Sequence, residues 1–197
     1  MYLDITQFEG AKSARQVFDA LKFFFFNMEI SISELIGFLT IREDEGAWHD
    51  GVFESRIVPN VTQDVQVEMS TAMFSAFYDQ HDEYGEGRPL GVIAADFVNF
   101  DELHPYSPAE RVRYNVTVVL SVAEKTRTRV NGNSEGEDEL VVVLGRSCFI
   151  RMHPSDLPLS PQVLQAMRDD IGKWEDMMPM KAKEIVSLQV SNLLISR

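Results

Sequence analysis

The stretch Tyr114-Asn-Val-Thr-Val-Val-Leu-Ser-Val-Ala123 decides the fold, together with Leu140-Val-Val-Val-Leu-Gly-Arg-Ser-Cys-Phe-Ile-Arg-Met152. In the first stretch every second residue from Tyr114 to Val122 is apolar, which is the period of a strand with one buried face. The second stretch opens with five apolar residues, as expected of a central strand or of one whose second face meets another element or subunit. Together they predict a long antiparallel hairpin, Val112–Met152.

The hairpin is expected to project into solvent beyond its apolar part. Residues 124–129 keep β-branched residues among charges, and Arg127 and Arg129 lie on this outer arm. Asn131-Gly132 is a residue pair that tolerates positive φ, and an acidic stretch ending at Glu139 follows it. The sequence leaves two readings open: an ordinary solvated hairpin tip, or a loop that a neighbouring molecule orders.

The composition of the chain limits the classes of function that it can have. The chain has 197 residues, 45% of them hydrophobic, a formal charge of −13 and a pI of about 4.7. Such a chain can bury a full core, and its acidity disfavours nonspecific binding to nucleic acid or to anionic membranes. The single cysteine excludes an intrachain disulfide. With neither a signal peptide nor a long apolar segment, we expect a soluble protein.

The helix signals are strongest near the two ends of the chain. Apolar residues at three-four spacing predict a helix over about Ala11–Met28, and Ser160-Pro161 predicts the start of a second one. Phe23 and Phe26 fall off the apolar stripe of the first helix. They need cover, either from the rest of the chain or from another subunit.

The remaining segments are assigned from alternation and turn residues. They are one or two strands within Glu29–Ile41, a strand at Val52–Val58, another within Val61–Met69, a short helix or continued strand from Ser70, an acidic loop at Asp79–Pro89, a strand within Leu90–Phe100 and a terminal strand from Val186 toward Leu194. This order predicts one α+β domain over residues 1–197, with an acidic insertion around residues 60–89. Its mainly antiparallel sheet would carry the long central hairpin, with two or three helices packed on it.

No residue pattern establishes a catalytic or cofactor site, and we expect no cofactor. The acidic loop holds Asp79, His81, Asp82 and Glu83, whose oxygen and imidazole donors could bind a divalent cation, but a solvated loop is the alternative. Cys148 with His153 is conceivable as a nucleophile pair, against a buried strand cysteine. Nucleotide-binding and serine-hydrolase motifs do not occur. Scattered residues can still assemble an active site, so the question of an enzyme stays open.

In its order of elements, its size and its long solvated hairpin, the chain resembles the tail-terminator and neck proteins of tailed bacteriophages. The resemblance implies a homo-oligomeric ring, often a hexamer in that family, that contacts other assembly proteins of a virion. The acidic charge would suit a passage that conducts DNA without binding it.

The sequence thus favours a structural assembly subunit, located in a virion or otherwise in the cytoplasm. Its partners would be further copies of itself and other assembly proteins, with neither specific nucleic-acid binding nor a membrane. The expected interface residues are Phe23, Phe26, Val141, Val143, Arg127 and Arg129. The alternative is an enzyme or small-ligand-binding domain with a pocket between sheet and helices, reached past His104, Tyr106 or Trp174. A third reading, an acidic regulatory module or nucleic-acid mimic, requires carboxylates clustered on one face.

Overall fold

A computed structural model describes residues 2–43, 48–49, 51–62, 64–128 and 138–195. The elements in chain order are β1 (Tyr2–Phe8), α1 (Ala14–Phe26), α2 (Met28–Ile36), β2 (Thr40–Arg42), β3 (Trp48–His49), β4 (Val52–Pro59), β5 (Val67–His81), α3 (Asp82–Gly85), β6 (Arg88–Phe97), β7 (Val112–Thr128), β8 (Asp138–Met152) and α4 (Pro161–Ile195). The α+β class predicted from the sequence is confirmed.

The strands form one sheet in the order β1-β8-β7-β6-β5-β4-β2, and the short β3 pairs with β4. The neighbours along this order are antiparallel; β5 and β7 add a short parallel pairing at Val67 and Val112. The predicted hairpin is confirmed as β7 and β8, which pair from Tyr114 with Met152 out to Thr128 with Asp138. Arg129 and the loop tip at residues 131–137 lie outside the described residues.

The core lies on the face of the sheet that α1 and α4 cover. Alternate strand residues point to this inner face, and the largest of them, such as Phe53, Met73, Ile93 and Leu120, are fully buried. Helix α1 approaches β6 so closely that a Cβ on Gly91 would lie 2.5 Å from a ring carbon of Phe18. A glycine at this point therefore sets the distance between helix and sheet.

On the opposite, outer face of the sheet, residues that are paired across neighbouring strands lie side by side and form rows that cross the strands. Three successive rows cross the middle of this face. We call them the central rows: Ser147-Val119-Ala94-Phe74, Ile5-Gly145-Ser121-Val92-Ala76 and Gln7-Val143-Ala123-Leu90-Tyr78.

The strand predicted within Glu29–Ile41 is wrong for most of its length, because residues 28–36 form α2. Its alternation of Ile30 and Ile32 with serines does not reflect two faces of a strand: Ile32 is 1% exposed and Ile30 54% exposed. Gly37, at φ 73°, ends the helix with its N–H donated to the Ser33 carbonyl. Only β2 confirms the strand part of this segment.

The terminal strand from Val186 is also wrong, because the whole of Pro161–Ile195 is helix α4. Val186 is buried together with Met178 and Ala182, at the four-residue spacing of one helix face, whereas Leu188 is 63% exposed. The alternating residues therefore belong to a helical stripe. The N-terminal signal is confirmed, since the Ser160 hydroxyl accepts the N–H of Val163.

Three further boundaries differ from the expectation. The first predicted helix is shorter, and its N-cap is Ser13, whose hydroxyl accepts the N–H of Gln16. The segment from Ser70 continues as strand β5 rather than turning into a helix. The acidic stretch is mostly structured: β5 runs to His81, one turn of helix follows, and β6 begins at Arg88. Strand β1 was not predicted at all.

Candidate functional site

An apolar cavity lies between the inner face of the sheet and the helices. Its volume is about 110 Å³. Helices α1, α2 and α4 form its roof and strands β4 to β8 its floor. The lining residues are Phe24, Phe25, Met28, Ile32, Ile57, Met69, Thr71, Met73, Ala95, Val116, Val118, Arg146, Cys148, Ile150, Trp174, Met177 and Met178.

Methionine is the most frequent residue in this lining. Met28 comes from α2, Met69 and Met73 from β5, and Met177 and Met178 from α4. An unbranched thioether side chain changes rotamer at little cost and adapts to the shape of what it contacts. The cavity wall can therefore adjust to a guest without movement of the backbone.

Trp174 supplies an unsatisfied hydrogen-bond donor at this cavity. Its indole Nε1 is buried and has no hydrogen-bond partner among the described residues. The ring packs on Tyr114, with the centroids 5.8 Å apart, and the Tyr114 hydroxyl lies 3.4 Å from the Met167 carbonyl as a donor. Burial raises the pKa of Tyr114, so this hydroxyl stays protonated. A buried N–H without an acceptor destabilises a protein by about 1–3 kcal/mol, which a bound acceptor would relieve.

Among the described residues of the lining, Arg146 is the only charged one. Its side chain is 4% exposed and pairs with Asp4, whose Oδ2 lies 3.2 Å from Nη2, and more distantly with Asp176 at 3.8 Å. These carboxylates neutralise the guanidinium, as burial requires. The cavity therefore favours an uncharged guest.

A second, polar depression of about 270 Å³ lies on the outer face. Glu68 is 2% exposed there and binds two arginines, Arg113 at 2.8 Å and Arg56 at 3.2 Å. The other lining residues include His104 and Arg111. Of the three residues expected at a pocket mouth, His104 lies here and Tyr106 packs under Arg113, its ring centroid 4.3 Å from the guanidinium carbon, whereas Trp174 lies on the inner face. The structure does not bring the three together.

The residues expected at an interface are spread over the molecule. Phe23 and Phe26 are exposed, at 59% and 45%, and the Phe26 ring lies 6.1 Å from that of Phe53. Val143 is half-buried on the outer face. Val141 is only 7% exposed, because the rest of the same chain covers it. Arg127 is exposed and pairs with Glu139 at 3.1 Å.

The four residues considered for a metal ion do not form a common set of ligands. His81 caps α3, its Nδ1 accepting the N–H of Tyr84, and Asp79 contacts Arg15 at 3.6 Å. Asp82 and Glu83 form the exposed first turn of α3. Within the described part of the chain, no group of three or more histidine, cysteine or acidic side chains is arranged to hold a metal.

Cys148 reaches the cavity, but His153 lies beyond the end of β8, where its backbone N–H donates to the Arg113 carbonyl. Burial lowers the pKa of His153, and two arginines add to this effect. These surroundings do not favour the imidazolium that would activate a thiol. The sequence shows an apolar patch around Trp174 and its neighbouring methionines, which in the structure is the α4 part of the cavity lining. It gave no sign that α1, α2 and five strands would converge on it.

These features define an α+β protein with one mainly antiparallel sheet, the long helix α4 and an apolar cavity between them. The sequence matches no family model, and no curated protein is significantly similar to it. No helix in the described ranges combines the length and apolarity needed to cross a bilayer.

Proposed function

We propose that this protein binds a small, uncharged, apolar molecule that carries one hydrogen-bond acceptor. The proposal is supported by the cavity between sheet and helices, lined almost entirely by apolar side chains, among them Trp174, whose indole N–H is buried and has no partner among the described residues. Binding sites for small molecules are typically concave and apolar, with a few polar groups that fix orientation.

The volume defines the class of guest. A cavity of about 110 Å³ is comparable with apolar protein cavities of about 150 Å³ that bind benzene or xenon. One aromatic ring or a short branched chain fits this space, and the five methionines can adjust around it. A carbonyl oxygen or a ring nitrogen on the guest would accept a hydrogen bond from the Trp174 N–H. A charged guest would lose its hydration, and Arg146 could not compensate it because that side chain is already paired with carboxylates.

The test uses benzene and pyridine, which have the same shape and differ in one acceptor atom. The ¹H–¹⁵N spectrum of the protein contains indole signals from Trp48 and Trp174, and Trp174→Phe assigns them. Titration at pH 7.5 with each compound reports binding through the methionine methyl signals and hydrogen bonding through the indole proton. We expect both compounds to shift the methyl signals of Met73 and Met177.

Only pyridine should move the Trp174 indole proton downfield, because only pyridine accepts a hydrogen bond. In Trp174→Phe, pyridine should no longer bind more tightly than benzene, and benzene should still bind. Absence of methyl shifts with either compound up to millimolar concentration would refute the ligand-binding proposal. Equal indole shifts with both compounds would refute the role of the Trp174 N–H.

A second candidate function is that of an assembly subunit, forming a homo-oligomeric ring like a tail-terminator protein in a virion. The observation in its favour is the aromatic surface of α1, where Phe23 and Phe26 lie one turn apart and remain exposed, followed in α2 by the exposed Ile30. Exposed apolar patches are typical of contact surfaces.

This candidate predicts a native mass of several chains, measured by light scattering after size exclusion. The double substitution Phe23→Ser and Phe26→Ser should reduce the native mass to that of a single chain. Tyr84→Ser is the control, because Tyr84 is also an exposed aromatic residue, at 68%, but lies on α3 rather than on α1. A ring mass that is unchanged by the double substitution would exclude the α1 surface as the contact.

A further inference from the structure

The polar depression on the outer face contains a cluster of charged side chains from β4, β5 and β7. Glu68 of β5 is paired in parallel register with Arg113 of β7, and Arg56 lies on the neighbouring strand β4. Arg113 donates to the Glu68 carboxylate at 2.8 Å. Arg56 lies 3.2 Å from the Glu68 carboxylate and 2.9 Å from that of Glu43. These two arginines and two carboxylates therefore satisfy one another.

Two further charged residues, Glu110 and Arg111, line the same depression. The Arg111 Nη1 lies 3.8 Å from the Glu43 carboxylate and 3.9 Å from that of Glu68, which is beyond hydrogen-bond distance. Within the described part of the chain, the side chains of Glu110 and Arg111 make no hydrogen bond, and they form no ion pair with each other. The depression therefore presents one guanidinium and one carboxylate whose hydrogen-bonding groups are unused.

The segment between β6 and β7 that carries these two residues is held by its own hydrogen bonds. The Ser107 carbonyl accepts the backbone N–H groups of Glu110 and Arg111, each at 3.1 Å. The Tyr106 hydroxyl donates to the Arg111 carbonyl at 3.3 Å. The Arg113 guanidinium packs on the Tyr106 ring, which connects the segment to the charged cluster on the sheet. A site that is fixed in this way loses little conformational entropy when a ligand binds.

We propose that the polar depression binds a small α-amino acid, with its carboxylate on Arg111 and its ammonium group on Glu110. A guanidinium holds a carboxylate through two parallel hydrogen bonds, and both are strengthened by the charges. An ammonium group donates up to three hydrogen bonds, and a carboxylate accepts them. A ligand with a single charge would leave one of the two side chains without a partner, whereas an amino acid occupies both.

The size of the depression agrees with this class of ligand. Its volume of about 270 Å³ equals that of roughly nine water molecules in the liquid, at ~30 Å³ each. That is the size range of the smaller amino acids, such as alanine and serine. The lining also includes Pro105, which offers an apolar contact to a short side chain, and His104 and Ser107, which offer further hydrogen-bonding groups.

The experiment uses three small probes that separate the two charges. L-alanine carries both of them, propionate lacks the ammonium group, and ethylammonium lacks the carboxylate. Each probe is titrated into the full chain at pH 7.5, and binding is followed in the ¹H–¹⁵N spectrum through the backbone amide signals of His104, Ser107, Glu110 and Arg111. The methyl signal of Met73 reports on the apolar cavity, on the other face of the sheet. L-alanine should leave that signal unchanged, so the two ligand proposals are tested independently.

We expect L-alanine to bind at least about tenfold more tightly than propionate or ethylammonium, because each charge adds charge-assisted hydrogen bonds. Arg111→Gln should weaken the binding of L-alanine at least about tenfold. Glu110→Gln should remove the difference between L-alanine and propionate. The matched controls are Arg168→Gln and Glu83→Gln, which make the same changes at exposed residues of α4 and α3. Both controls should bind L-alanine as the wild-type chain does.

The comparison of the three probes is made on the wild-type chain and so does not depend on the folding of any variant. Far-UV circular dichroism establishes that the variants are folded. The proposal is overturned if L-alanine shifts none of the four amide signals up to about 100 mM. Equal affinities for L-alanine and propionate in the wild-type chain would also overturn it, because the ammonium group would then have no partner. So would an unchanged affinity for L-alanine in Arg111→Gln.

Discussion

The substitution Ala95→Leu tests whether the space between sheet and helices is a real cavity. Ala95 is 4% exposed and lines the cavity from β6. The three carbons that leucine adds contribute about 2.4 kcal/mol of transfer free energy. Ordering the side chain opposes this by about 0.5–1 kcal/mol, so the net gain should be about 1–2 kcal/mol.

The assay is urea unfolding followed by circular dichroism, with and without benzene. The matched control is Ala20→Leu, which makes the same change at a residue of α1 that is 0% exposed and does not line the cavity. Overpacking at this site should lower stability by about 1–3 kcal/mol. The two substitutions are therefore predicted to have opposite signs.

Benzene adds a second readout to the same pair of proteins. At a free concentration of one hundred times its dissociation constant, a ligand that binds only the folded state adds about 2.7 kcal/mol of stability. Wild type and Ala20→Leu should show this gain, and Ala95→Leu should show none because leucine occupies the space. If Ala95→Leu destabilises the protein as much as Ala20→Leu does, the space beside Ala95 cannot hold a leucine side chain, and the claim of a cavity there is refuted.

The structure makes further predictions about stability. Glu68→Gln leaves the buried Arg56 and the half-buried Arg113 without their shared carboxylate and should cost about 3–5 kcal/mol in urea unfolding, while Glu43→Gln, at a more exposed carboxylate of the same cluster, should cost less; equal costs would contradict the assigned burial. Gly91→Ala drives a Cβ into an aromatic ring of α1 and should cost about 1–3 kcal/mol, whereas Gly172→Ala, in open space on α4, should add about 0.5–1 kcal/mol; the reverse order would refute the close contact of α1 with β6. Burial and two arginines lower the pKa of His153 below its ordinary 6.5, so the unfolded chain binds the proton first and stability should fall as the pH drops from 7 toward 5.5. His153→Gln should make the stability depend less on pH between 7 and 5.5. An unchanged pH dependence would mean that other groups cause it.

The hairpin could be predicted because both of its strands carry their own signal. Tyr114 to Val122 alternate in the period of a strand, and Leu140 to Leu144 are apolar throughout, as a strand between β1 and β7 requires. The start of α4 was likewise visible in Ser160-Pro161. In each case the local preference of the chain and its tertiary environment agree.

The errors occur where a short apolar alternation fits two periods. Ile30 with Ile32, and Val186 with Leu188, are each two residues apart, which suits a strand, yet each pair lies in a helix with one member buried and the other exposed. Packing of α2 and α4 against the sheet decides these segments, and packing cannot be read from a few residues.

The cavity could be predicted only in part for a related reason. Trp174, Met177 and Met178 form a recognisable apolar patch in the sequence, but Arg146 and Ala95 look like ordinary strand residues. Their place in the lining follows from the register of β6, β7 and β8, which pairs Ala95 with Val118 and Val118 with Cys148. A site built from pairing distant in sequence leaves no local motif.

The most direct test of the central claim is a crystal structure of the protein grown with pyridine. We expect to find the pyridine ring in the cavity between Trp174, Met73 and Val118, with its nitrogen about 2.7–3.2 Å from the indole Nε1. It would be contradicted by a cavity filled with the protein's own side chains, or by pyridine that binds only elsewhere on the molecule.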